Sequence, residues 1–213
     1  MSKKAKNIIV LRHAQSEGNL NPAVYERTPD YRVQLTQRGK EQAAKAAEHL
    51  AREFGERPVG VYYSPFERTI QTKNIAAARL NKAFEQEDCR LREREWSGKL
   101  RAFDRTAEFD KKEYGNFFYR YHGGESCADA AERAYSFKRD FISKMEKKGG
   151  PDDFLIVSHG EFLRVFGMVL TNKTVAEFEK WPNMFNCAAY RFKYVAGEFE
   201  WADGPEKNLE FYK

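Results

Sequence analysis

The sequence predicts an α/β fold: a three-layer α/β/α domain with a mostly parallel central sheet and a small helical lid insertion. Three observations carry this expectation. Short apolar runs at residues 8–11, 59–63 and 153–158 each break abruptly into polar or charged side chains, as buried strands do at the top of a sheet. Helical segments alternate with these runs, the order of a parallel sheet covered on both faces. The chain has 213 residues, enough for one full core and too few for two comfortable ones, so residues 1–213 are read as a single domain.

The elements follow in order. Ile8-Ile9-Val10-Leu11 is the first strand, ending at Arg12-His13. Thr36 caps a helix that runs to Phe54, and Gly55 ends it. The run 59–63 is a strand, and Ser64-Pro65 opens a helix to about Leu80, with Ser as cap and Pro in the first turn. Residues 83–89 are short and mixed, the pattern of an edge strand. Residues 94–124 are irregular, crowded with charge and aromatics, and form the expected lid insertion. Ser126 caps a long helix to Lys148, stopped by Gly149-Gly150-Pro151. A central strand at 153–158 and a helix from Glu161 to Leu170 follow. Strands at 187–195 and 198–202, separated by Ala196-Gly197, close the sheet.

Composition narrows the function classes. Lys plus Arg number 37 against 32 Asp plus Glu, a net charge of +5. The charges are spread through helices in mixed-sign runs, which are solvated faces, and no Lys/Arg cluster accompanies an RNA or DNA motif. A modest positive balance also suits a small anionic substrate, so no nucleic-acid partner is expected. The three cysteines, Cys89, Cys127 and Cys187, have no CxxC pairing and suit a reducing compartment. The N-terminus reads as running straight into the first strand without a signal peptide, and Arg164 interrupts the longest apolar run. The expectation is a soluble cytoplasmic protein without membrane association; oligomeric state is not legible.

The chemistry-bearing residues lie where those strands end, at the edge where open α/β sheets bind ligands. Arg12-His13 ends the first strand, and Ser158-His159-Gly160 ends the central one. Arg68 lies on the first turns of the helix after the second strand. Two arginines and two histidines then converge on one pocket. Arginine presents at both positions a planar fork of donors that suits the oxygens of an anion.

Together these residues resemble the histidine phosphatase superfamily, in its phosphoglycerate mutase-like branch. The segments Leu11-Arg12-His13-Ala14-Gln15-Ser16-Glu17-Gly18-Asn19, Ser64-Pro65-Phe66-Glu67-Arg68-Thr69-Ile70-Gln71-Thr72, Leu91-Arg92-Glu93-Arg94 and Ser158-His159-Gly160 come in the family's order. The likeness covers residues 7 to about 195. One departure is Ala14, where the family most often has Gly. The resemblance implies His13 as a nucleophile that carries the phosphoryl group. It also implies Arg12, Arg68 and His159 around the phosphate, with the Gly160 backbone allowing close approach, and Glu93 as the general acid. Glu95 is the local competitor of Glu93. Asn19 matches a phosphate-contacting position of the family, although Asn also suits a loop turn. Ser16, Gln15 and Glu125 are secondary substrate-binding candidates, and Ser126 as a helix cap is enough to explain the segment around Glu125.

No metal and no cofactor are expected: His49 and His122 have no partner at metal-ligand spacing. The expected activity is metal-independent hydrolysis of phosphomonoesters of small metabolites through a phosphohistidine. The alternative is a phosphoglycerate mutase. Against it, the stretch after the acid motif has Lys99, Arg101, Arg105, Lys111 and Lys112 but no adjacent arginine pair. A non-catalytic interaction module is a remote third reading, because all five core residues are present.

Overall fold

The computed structural model describes residues 5–96, 105–205, 207, 209 and 210. Strands β1 (Lys6–Arg12), β2 (Val59–Tyr63), β3 (Lys82–Glu87), β4 (Asp153–Ser158), β5 (Ala188–Val195), β6 (Glu198–Trp201) and β7 (Leu209–Glu210) make one sheet. Its order is β3-β2-β4-β1-β5-β6, with β7 also on β5. The first four of these in space are mutually parallel, and β5, β6 and β7 add an antiparallel side. The sheet is therefore mixed, and its parallel half carries the expected strand-end residues.

Helices α2 (Gln37–Phe54), α3 (Glu67–Ala76), α5 (Cys127–Met145) and α6 (Gly160–Leu170) cover the sheet. The two-residue alternation of β1 divides the core. Ile8 and Val10 face a phenylalanine-rich layer with α5 and α6, including Phe137, Phe141, Phe162 and Phe166. Ile9 and Leu11 face an alanine-rich layer with α2 and α3, including Ala43, Ala46 and Ala76. Small side chains let α2 and α3 lie close to the sheet. The large rings opposite each contribute about 1.5–3 kcal/mol of burial.

Two expectations need correction. Helix α3 begins at Glu67 and ends at Ala76, and the residue at its cap is Phe66, without a side-chain cap. The Ser64 hydroxyl is committed elsewhere, to His159. The long helix α5 ends at Met145, short of Lys148. Thr36 and Ser126 do cap their helices, accepting from the Gly39 and Asp129 N–H groups. Within the expected lid insertion, α4 (Arg105–Tyr114) leads through a turn to α5, while residues 97–104 lie outside the described residues. Phe117 is buried against Phe178, whereas Phe118 is exposed. Among the described residues, no helix is long and apolar enough to cross a membrane.

Candidate active site

Parallel register brings the strand ends together. Arg12 pairs with Ser158 across β1 and β4, and Tyr63 pairs with Val157 across β2 and β4. The ladder continues one residue beyond each strand: His13 N–H donates to Ser158 O (2.9 Å), and Ser64 N–H donates to Val157 O (3.1 Å). His13, Ser64 and His159 thus share one edge of the sheet. The His13 and His159 rings meet edge to face, with centroids 5.2 Å apart.

The His13 ring is held in one tautomer. Nδ1 lies 2.8 Å from Ala14 O; a carbonyl can only accept, so the proton is on Nδ1 and the lone pair on Nε2. Burial, then the charges of Arg68 and Arg12, push the His13 pKa well below its usual 6.5. The same causes, burial first, lower His159. His159 Nε2 is 2.7 Å from Ser64 Oγ, which also accepts the Phe66 N–H (3.4 Å). When Ser64 donates to Nε2, the His159 proton is on Nδ1. That Nδ1 and Arg12 Nε are buried without a hydrogen-bond partner among the described residues.

The arginines are anchored from outside the sheet. Arg68 Nη1 donates to both the backbone oxygen (2.8 Å) and the carboxylate (2.7 Å) of Asp30. Arg12 Nη1 donates to Met184 O. The Arg12 side chain passes over Gly160, where an added Cβ would lie 3.0 Å from Nε and 3.1 Å from Cζ. An alanine at 160 would have to push the guanidinium aside by a few tenths of an ångström.

Glu93 enters from the segment that follows β3. Its Oε1 accepts the N–H groups of Arg94 (2.9 Å) and Phe162 (3.0 Å), and its Oε2 is 3.4 Å from Glu161 N. The carboxyl group sits on the N-terminus of α6. Burial raises its pKa above the usual 4.5, and the Glu161 carboxylate raises it further against those backbone donors. The neighbouring acids are occupied. Glu161 accepts from Arg164 (3.0 Å) and the Cys127 thiol (3.2 Å), and the Glu95 side chain is 55% exposed and paired with Arg92.

A cleft of about 370 Å³ joins these groups; Arg12, His13, Asn19, Arg68, Glu93 and Gly160 line it. His159 stands directly behind His13, fully buried. Asn19 Oδ1 accepts from Ser16 and from Asn186 Nδ2 (2.8 Å), so its Nδ2 is the donor left for the cleft.

Besides the buried His159, three candidates do not line the cleft. Ser16 caps α1 (Glu17–Leu20) in a reciprocal pair with Asn19. Gln15 turns toward α2: its N–H donates to Gln42 Oε1 (2.9 Å), and its Oε1 accepts from Thr36 (2.9 Å). Glu125 is a brace for the acid-bearing segment, accepting from Arg92 (2.5 Å), Arg133 (3.0 Å) and the Glu95 N–H (3.1 Å). Their polar groups are spent on ordering the loops that carry the site. Conversely, Tyr25, Asp30, Trp96, Glu161, Asn183 and Met184 also line the cleft. Only Glu161, next to Gly160, had a local signal in the sequence.

Comparison with known proteins identifies the family. The profile of the histidine phosphatase superfamily (branch 1) matches residues 8–203. The chain belongs to that superfamily. Two phosphoglycerate mutase-like proteins of Arabidopsis thaliana are 32% and 34% identical, each over 85% of this chain and over 72% and 62% of their own lengths. A broad-range acid phosphatase of Saccharomyces cerevisiae is 33% identical over 53% of this chain, which spans only 36% of that protein. Among solved structures, mycobacterial glucosyl-3-phosphoglycerate phosphatase with inorganic phosphate superposes with a TM-score of 0.78. That alignment covers 98% of this chain and 99% of the other, at 21% identity. At that identity the likeness establishes the fold.

Proposed function

We propose that this protein hydrolyses phosphomonoesters of small metabolites through a phosphohistidine on His13. The observation that carries the reading is the His13 tautomer: Nδ1 is tied to Ala14 O and the free Nε2 is neutral, in a cleft with two guanidinium groups. A phosphomonoester brings about two negative charges, which Arg12 and Arg68 neutralise. Arg12 Nε and, in its Nδ1–H tautomer, His159 are further donors for its oxygens. The Nε2 lone pair attacks phosphorus in line. The ester P–O bond breaks with its electrons on the alcohol oxygen, which takes the Glu93 proton. Water then attacks the phosphohistidine, Glu93 accepts its proton, and the N–P bond breaks back onto Nε2. Positioning and fixed charge supply most of the rate, as in other phosphoryl transfers.

Hydrolysis is favoured over mutase chemistry by the charges of the cleft. A mutase must clamp a carboxylate beside the phosphate, and among the described residues the charged groups lining the cleft other than Arg12 and Arg68 are Asp30, Glu93 and Glu161. The test is a rapid-quench experiment with a labelled phosphomonoester. Wild type accumulates acid-labile phosphate on protein, and His13→Ala shows none and keeps less than about a thousandth of the turnover. With 3-phosphoglycerate and a trace of 2,3-bisphosphoglycerate, the wild-type product is inorganic phosphate. Turnover without a phosphoenzyme, or isomerisation with little phosphate release, would overturn the proposal.

A further inference from the structure

A second cavity, about 470 Å³, adjoins the phosphate cleft and shares Tyr25, Asp30 and Trp96 with it. Its other walls include Tyr31, Phe66, Arg92 and Glu95. Four aromatic residues, Tyr25, Tyr31, Phe66 and Trp96, line this one cavity, and Tyr31 is 48% exposed. Phe66 is fixed from below, with the Arg68 guanidinium 5.0 Å from its centroid and the His159 ring 5.0 Å away. It is a rigid floor joining the aromatic cavity to the phosphate site.

The charges define what fits. Arg92 is the cation among the described lining residues, and it already donates to Glu125 (2.5 Å) and Glu95 (3.3 Å). Asp30 and Glu95 present carboxylates. A second phosphate or a carboxylate on the substrate would meet like charge at the junction. Hydroxyl groups there would instead find an acceptor, as ribose hydroxyls do on acidic side chains in nucleotide sites. Beyond the junction a flat ring finds aromatic faces.

We infer that this cavity holds the alcohol part of the substrate, and that the substrate is a nucleoside 5′-monophosphate. The phosphate lies on Arg12 and Arg68, the ribose beside Asp30, and the base among Tyr31, Phe66 and Trp96. The inference rests on the phosphatase reading for the location of the phosphate, and it adds the identity of the group attached to it. Base-on-aromatic stacking contributes about tenfold to a hundredfold in affinity per base.

The test measures binding as well as turnover, so that the two readings fail separately. Calorimetry on the full-length His13→Ala protein, which cannot turn the ligand over, compares AMP with ribose 5-phosphate and 3-phosphoglycerate. AMP is expected to bind at least about tenfold more tightly than either. Tyr31→Ala, introduced with His13→Ala, is expected to erase most of that preference while leaving ribose 5-phosphate affinity within about twofold. In active protein, the same substitution lowers kcat/KM for AMP and spares ribose 5-phosphate. Equal affinity for AMP and ribose 5-phosphate overturns the base-binding cavity, as does equal loss on both ligands in the Tyr31 variant. A base preference that persists in binding without any phosphate release refutes the phosphatase reading and leaves the cavity assignment standing.

Discussion

The role of Glu93 is open to a decisive substitution, Glu93→Gln. In the native structure Oε1 takes both backbone N–H groups, Arg94 at 2.9 Å and Phe162 at 3.0 Å, while Oε2 has only a 3.4 Å approach from Glu161 N. The glutamine carbonyl can occupy the Oε1 place and keep both hydrogen bonds, so the segment stays ordered and stability falls by no more than about 1 kcal/mol. What is lost is the transferable proton on the second oxygen. An alkyl leaving group needs that proton, and general acid catalysis is worth about 10²–10⁴-fold, or about 2.7–5.4 kcal/mol of barrier. A nitrophenyl oxide leaves without it, so the loss there stays within about threefold. The assay is kcat/KM for a sugar phosphate and for p-nitrophenyl phosphate on the same two proteins, with thermal melts alongside. Equal losses on both substrates, with an unchanged melt, would remove Glu93 from the acid role.

Two further outcomes follow from the geometry. In Gly160→Ala the new Cβ, 3.0 Å from Arg12 Nε and 3.1 Å from Cζ, displaces the guanidinium by a few tenths of an ångström. This lowers kcat/KM about tenfold or more, while the melting temperature holds or rises, since Ala exceeds Gly in helix preference by about 1 kcal/mol; unchanged activity would show that Arg12 placement is not limiting. The pH profile of kcat/KM is bell-shaped and displaced toward acid. Activity requires neutral His13, whose pKa burial and the two arginines lower, and protonated Glu93, whose pKa burial raises. Activity is therefore lost as pH falls through the His13 value and as it rises through the Glu93 value, and Glu93→Gln removes the alkaline limb. A wild-type profile that keeps rising into alkaline pH would contradict both assignments.

The sheet and the heart of the cleft were legible because their signals are local. The apolar stretch ending at Arg12-His13 becomes β1 (Lys6–Arg12), and that ending at Ser158-His159 becomes β4 (Asp153–Ser158). Parallel strands with matched ends place their following residues side by side. What failed was the assignment of polar side chains by proximity to a motif. Ser64 precedes a proline and has the local form of a helix cap, yet a buried histidine ring competes for its hydroxyl and wins. Gln15 lies two positions from His13, but one helix-terminal hydroxyl and one helical glutamine take its polar groups. Asp30, Tyr25 and Met184 reach the cleft from segments without hydrophobic periodicity, and only the tertiary return of the chain brings them there.

Those loop residues explain how a cationic pocket can stand ready without ligand. Arg12 and Arg68 lie close enough that each disfavours protonation of His13, and burial lowers the proton affinity of Arg12 itself. An isolated buried guanidinium is costly, so each needs acceptors that do not occupy the face required for phosphate. Met184 supplies a backbone oxygen to one amine of Arg12, and Asp30 supplies a backbone and a carboxylate oxygen to one amine of Arg68. Both anchors engage only Nη1, which leaves the remaining donors of each fork for an anion. The acid is braced by a different set: Arg94 ties residue 94 to Glu125 O and Tyr119 O, and Arg133 ties Glu125 to the backbone of Arg90 and Arg92. Arg12 and Glu93 both meet the first turn of α6, at Gly160 and at Phe162, but the Glu125 brace holds only the acid-bearing segment. A substitution in the Glu125 brace should accordingly disturb proton transfer before it disturbs phosphate binding.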